Sequence, residues 1–190
     1  MDARMKTKSM TLIGLVTALL CIVGPITITI PISPIPISLV TLAIWFAIYV
    51  LGTKRSVISC ILYLGMGAIG LPIFSGFSGG IGKLLGPTGG YLIGYIVLTV
   101  VSGWFMDKWP MNRWMQGLGM TLGVVLCYFM GTAWLMVQME VNCYSAISMG
   151  VLPFVPGDIL KLIIAIMIGP VLRKRLVKAG LVLFPKNRNK

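Results

Sequence analysis

The sequence predicts an all-α fold: a polytopic membrane protein with six transmembrane helices and both termini cytoplasmic. Three observations carry that expectation: the scarcity of charge, the length of the apolar runs, and the side on which Lys and Arg fall. Of the 190 residues, 57% are hydrophobic and 11% charged, and the mean hydropathy is +0.97. A soluble domain carries about 25% charged residues, so this chain cannot cover a water-facing surface. So much apolar surface also excludes intrinsic disorder. Four acidic residues and no histidine speak against acid–base catalysis and against metal sites, so neither an enzyme nor a resident cofactor or metal is expected.

A helix that spans a hydrocarbon core of about 30 Å needs about 20 mostly apolar residues. Six near-continuous runs meet or approach that need, at about 9–30, 38–53, 55–74, 88–106, 115–138 and 144–172. Each is hydrophobic all round, as a buried or lipid-facing helix is. None shows the alternation of apolar and polar residues that a transmembrane barrel strand needs. All six belong to a single membrane domain, 1–190.

The first run follows the basic start Arg4, Lys6 and Lys8. It resembles a signal peptide in outline, but no small-residue cleavage site follows, and it is expected to stay as the first span. Within it, Gly14 and Ala18 are four apart, a spacing that lets helices approach closely; packing inside the bundle is the default reading. The stretch Pro31–Pro36 has three prolines in six residues, which forbids helix and stiffens the chain. It is either a rigid connector or the wall of an outward site.

Lys54 and Arg55 divide the second run from the third. The loop Ser75–Gly90 follows, and seven of its sixteen residues are glycine. Glycine lets backbone approach a ligand, and a long loop so rich in it is read as a binding loop. It is not a phosphate loop: a Walker A motif needs Gly where Phe77 stands and Ser or Thr where Leu84 stands. Lys108 and Arg113 then separate the fourth and fifth runs, and the fifth contains a second small pair, Gly119 and Gly123.

The sixth run carries Pro156-Gly157-Asp158-Ile159-Leu160-Lys161. Pro156 and Gly157 are expected to interrupt the helix, and Asp158 to cap the part that restarts. Counting back from Arg173 puts Asp158 about 22 Å above the cytoplasmic edge, in the outer third of the core. Lys161 lies one turn deeper on the same face. Charges within a span cost about 2.5–3.5 kcal/mol each on insertion scales and mark functional sites; a self-satisfied cap and ion pair is the competing reading. The tail after this run holds Arg173, Lys174, Arg175, Lys178, Lys186, Arg188 and Lys190.

Apart from Lys83 and the intramembrane Lys161, every Lys and Arg falls on one side of this six-span arrangement. That side is cytoplasmic. The same asymmetry accounts for the net charge of +12 through topology and attraction to anionic lipid headgroups; no motif for nucleic acid accompanies it. The cysteines Cys21, Cys60, Cys127 and Cys143 show no paired spacing and read as small apolar fillers.

From these residues alone, an outward-facing pocket is expected, lined by one carboxylate, one ammonium, the glycine-rich loop and the aromatics Phe74, Phe77 and Tyr91. It suits a small organic ligand with polar ends and an apolar body. Three stretches carry a further resemblance: Ile32–Ala43, Gly70–Gly76 and Leu85–Tyr95, the last with Gly86-Pro87-Thr88-Gly89-Gly90-Tyr91. Together with Pro156–Lys161 they resemble the BioY family, the biotin-binding S-components of energy-coupling-factor (ECF) transporters. Val40 departs from that pattern, because glutamine is expected there in many members.

The resemblance implies biotin uptake across the bacterial cytoplasmic membrane, together with a transmembrane coupling subunit and two cytoplasmic ATPases. It carries the family's last-signature Asp and Lys onto Asp158 and Lys161; with the residues of the expected pocket, the substrate-binding candidates are Asp158, Lys161, Tyr91, Phe74, Phe77, Gly79, Gly90 and Thr41. Asp158 would accept from the ureido ring; Lys161 would either meet a polar end of the ligand or hold Asp158 ionised. It also assigns Gly14 and Ala18 to docking on the coupling subunit. The rivals are a binder of another vitamin or small metabolite and an intramembrane enzyme.

Overall fold

The structure is a computed structural model that describes residues 3–28 and 36–180. The described residues form eight helices and one short hairpin. In order these are α1 (Ala3–Val23), β1 (Thr27–Ile28), β2 (Ile37–Ser38), α2 (Val40–Leu51), α3 (Thr53–Ala68), α4 (Ile81–Leu85), α5 (Gly89–Lys108), α6 (Arg113–Met139), α7 (Cys143–Gly150) and α8 (Val155–Lys178). β1 and β2 pair antiparallel, Thr27 opposite Ser38 and Ile28 opposite Ile37. Except for Pro36, the proline-rich connector Pro31–Pro36 lies outside the described residues, as do the tail bases Lys186, Arg188 and Lys190.

α5, α6 and α8 are long and apolar enough to cross a membrane. Residues Thr7–Val23 and Val40–Leu51 are apolar but shorter. α2, with 12 residues, spans only about 18 Å. Its turn into α3 is a single residue, Gly52, at φ +74°, a conformation glycine adopts without steric cost. Just past it, the Thr53 N–H and hydroxyl both donate to Asp107 Oδ2, at 3.2 and 2.5 Å, which ties the start of α3 to the end of α5.

The sixth apolar run divides earlier than expected. α7 ends at Gly150, the chain turns through 151–154, and α8 begins at Val155. Pro153 is the cause: it cannot donate a helical hydrogen bond, and it disfavours the helical conformation in Leu152 before it. Pro156 does not break a helix. It occupies the first turn of α8, where backbone donors have no intrahelical acceptor and proline costs nothing. Asp158 is not the cap either; the capping position is Phe154, and the Asp158 N–H donates to the Phe154 carbonyl at 2.8 Å. That frees the carboxylate for other contacts.

Apolar burial drives little association between helices already in hydrocarbon, so close packing must supply it. α5 and α6 show how. A side chain at Gly119 would overlap Phe105, and one at Gly123 would press on the Ser102 hydroxyl at 2.6 Å. The Gly119–Gly123 pair therefore packs inside the bundle, as its spacing predicts. Trp45, Ile48, Tyr49, Tyr63, Leu98 and Met120 fill the core between α2, α3, α5 and α6. The Tyr49 hydroxyl donates to Gln116 Oε1 at 2.8 Å, and Gln116 Nε2 donates to the Pro110 carbonyl at 2.9 Å.

Asn112 caps α6 by accepting from the Trp114 and Met115 N–H groups at 3.0 and 3.3 Å. Asn112→Ala removes that acceptor, and the expected cost is about 1 kcal/mol of stability. Thermal unfolding in detergent measures it, and ligand affinity should not change.

Candidate functional site

The site lies where β2, α2, α5 and α8 begin and α6 passes its midpoint. Asp158 and Lys161 are three residues apart on α8, and the Lys161 ammonium lies 2.6 Å from Asp158 Oδ1. Both are buried, at 9% and 6% exposure. Buried charges need both a counter-charge and hydrogen bonds, and here each has them. Lys161 Nζ also donates to the Ser38 carbonyl at 2.7 Å, and Asp158 Oδ2 accepts from the Tyr128 hydroxyl. Three elements, β2, α6 and α8, thus converge on one ion pair.

Beside this pair is a cavity of about 50 Å³, lined from α2 by Thr41, from α5 by Tyr91 and Tyr95, and from α6 by Cys127 and Tyr128. The Tyr91 hydroxyl donates to the Gly150 carbonyl at 3.0 Å and lies 3.2 Å from Thr132 Oγ1, holding α5 to α6 and α7. Thr41 Oγ1 is buried with no hydrogen-bond partner among the described residues. A buried hydroxyl without a partner costs free energy, so it marks a place where a ligand's polar group would be welcome.

A second space, about 640 Å³, opens to the outside of the bundle between α6 on one side and α7 and α8 on the other. Val125, Phe129, Met136, Ile147 and Ile159 give it apolar walls. No group of three or more His, Cys, Asp or Glu that would hold a metal ion occurs among the described residues.

Of the substrate-binding candidates, the structure brings Asp158, Lys161, Thr41 and Tyr91 together around the small cavity. The other four stand elsewhere. Phe74 is fully buried in the core, edge-on to Tyr63 at 5.5 Å between centroids. Phe77 sits at the tip of the glycine-rich loop, 74% exposed and at φ 55°. Gly79 lies where a side chain would overlap the Leu71 carbonyl, and Gly90 where one would overlap Trp134. These two glycines serve close backbone packing.

Tyr128, Tyr95 and Ser38 complete the site and were not singled out by sequence reasoning. The available signal was a tyrosine inside an apolar run, whose hydroxyl seeks a partner when buried. On α1, Gly14 and Ala18 are exposed, and a side chain at Gly14 would meet nothing within 4 Å. Leu15 and Ile22 beside them are also exposed, so this stripe does not pack within the bundle.

Residues 1–178 match the BioY family. The chain belongs to that family. It is similar to the probable biotin transporter BioY of Pyrococcus horikoshii, 37% identical over 164 residues that cover 86% of this chain and 95% of that one. It is equally similar to the biotin transporter BioY of Thermotoga maritima, 37% identical over 161 residues, 85% and 93% of the two chains. The crystal structure of the S-component for biotin from an ECF-type ABC transporter shares its fold with a TM-score of 0.84. That structure is 32% identical, with 92% of this chain and 95% of that chain covered. In this BioY-family member the departing residue Val40 is buried at the start of α2, and its N–H donates to Ser38 Oγ at 3.1 Å.

Proposed function

We propose that the chain is the biotin-binding subunit of an ECF-type transporter: it captures biotin from outside and mediates its uptake with an ATP-driven module. The observation that carries this reading is the buried Asp158–Lys161 pair beside the Thr41 hydroxyl, which has no partner among the described residues, in a chain whose relatives are named biotin transporters. Biotin's ureido ring offers two N–H donors and a carbonyl, and its thiophane ring is apolar. Asp158 accepts from the ureido N–H groups, and Thr41 donates to the ureido carbonyl. Lys161 gives two of its three N–H donors to the Ser38 carbonyl and Asp158 Oδ1, so its role is to orient the carboxylate.

The chain sits as one unit in the bacterial cytoplasmic membrane, with α1, α2, α3, α5, α6 and α8 as six spans and both termini cytoplasmic. The one-sided placement of Lys and Arg supports this orientation. The chain contains no phosphate-binding loop, so energy comes from two ATPase subunits through a transmembrane coupling subunit. The exposed Gly14–Ala18 stripe of α1 is the docking face for that subunit.

The purified full-length protein alone is expected to bind biotin and not to hydrolyse ATP. Isothermal calorimetry with biotin, and mass spectrometry of any co-purified ligand, test this. A folded sample with no detectable biotin binding rejects it, and a different co-purified vitamin redirects it.

A further inference from the structure

The small cavity beside the ion pair and the wide lateral groove share two lining residues among the described ones, Tyr128 and Asp158. Those two are hydrogen-bonded to each other, so their contact is the wall between the two spaces. Neither space alone suits a ligand with a polar head and an apolar body. The cavity, at about 50 Å³, holds a water or two, whereas sites for small organic molecules run to about 300–1,000 Å³. The groove, at about 640 Å³, has room but little free polarity. Its Thr121 hydroxyl donates to the Gly117 carbonyl at 3.0 Å, and its Thr132 hydroxyl is paired with Tyr91.

Building on the functional reading above, we propose that Tyr128 is a movable partition. Ligand binding displaces its hydroxyl from Asp158, and cavity and groove become one site, with the polar head on Asp158 and the apolar body in the groove. On Asp158 the exchange is even: Oδ2 gives up an O–H donor and gains an N–H donor from the ligand, so the carboxylate stays satisfied. The tyrosine ring swings into the open groove, and its hydroxyl gives up its acceptor, a cost that the ligand's contacts must exceed. A ligand without an N–H donor would leave a buried carboxylate oxygen unpaired, and the site would reject it.

The test uses the full chain with biotin, reading association rate by stopped-flow tryptophan fluorescence, affinity by calorimetry and stability by thermal unfolding. Tyr128→Phe keeps the ring and removes the competing hydroxyl. Association should then be roughly tenfold faster or more and affinity tighter, because the ligand no longer competes with a bond to a charged acceptor. Unchanged association, or weaker binding, overturns the partition. Ala133→Trp, on the exposed wall of the groove, fills the groove without burdening the core. It should weaken biotin binding at least about tenfold, and unchanged affinity overturns the shared site even if Tyr128→Phe does not fold. A parent chain that fails to bind biotin overturns the functional reading and this inference together. A parent that binds, with both variants like it, overturns this inference alone.

Discussion

Asp158→Asn should abolish measurable biotin binding and destabilise the folded protein by about 3–5 kcal/mol, the cost of leaving one member of a buried ion pair without its partner. The substitution hardly changes volume, so the effect is electrostatic. The amide has one acceptor oxygen where the carboxylate had two, and those two now serve Lys161 and Tyr128. Its NH2 group would face either the Lys161 ammonium or the Tyr128 hydroxyl, and the ligand would lose an ionised acceptor as well. A double variant separates the two effects. Asp158→Asn with Lys161→Met removes the stranded charge, so thermal stability should recover while biotin binding stays lost. If Asp158→Asn binds biotin like the parent in calorimetry, the pair only pins α8 to its neighbours and contributes nothing to recognition.

Gly14→Trp should do the reverse: leave the isolated protein intact and stop it from working in the complex. A side chain at Gly14 meets nothing within 4 Å, and its neighbours on that face are exposed. Melting temperature and biotin affinity should match the parent, while pull-down of the coupling subunit and ATP-dependent uptake fall to background. Gly119→Leu is the control. There even the first added carbon runs into Phe105, and overpacking of that kind costs about 1–3 kcal/mol. Loss of stability in Gly14→Trp, or a normal pull-down, removes α1 from the docking role.

The contrast between those glycines marks what the sequence could not resolve. Gly14-x-x-x-Ala18 and Gly119-x-x-x-Gly123 look alike as strings, yet one pair looks outward and the other buries α6 against α5. Spacing states that a close approach is possible and leaves the approaching element undefined. The same limit applies to Gly79 and Gly90, whose freedom from side chains serves Leu71 and Trp134. Long runs bounded by charge were legible. The expected 115–138 is α6 at Arg113–Met139, and 88–106 is α5 at Gly89–Lys108. In the run 144–172 a break was legible from its prolines but its place was not: the chain turns through 151–154 around Pro153, whereas Pro156 fits the first turn of α8. The meeting of Asp158 with Lys161 followed from helical geometry alone. Tyr128 escaped notice because its partner is 30 residues away in sequence, a distance at which only the fold decides who meets whom.

The ion pair also bears on how the protein is made. Asp158 and Lys161 belong to one turn of one helix, so their bond forms as soon as α8 winds, with no help from the rest of the molecule. Presented singly, each charge would oppose insertion by about 2.5–3.5 kcal/mol. Presented together, they let this stretch of the nascent chain leave the ribosome and partition into lipid as an electrically neutral segment. Ser38 and Tyr128 then join a pair that is already settled. Biogenesis therefore does not have to wait for the candidate site to assemble, although that site holds the two residues that most threaten insertion.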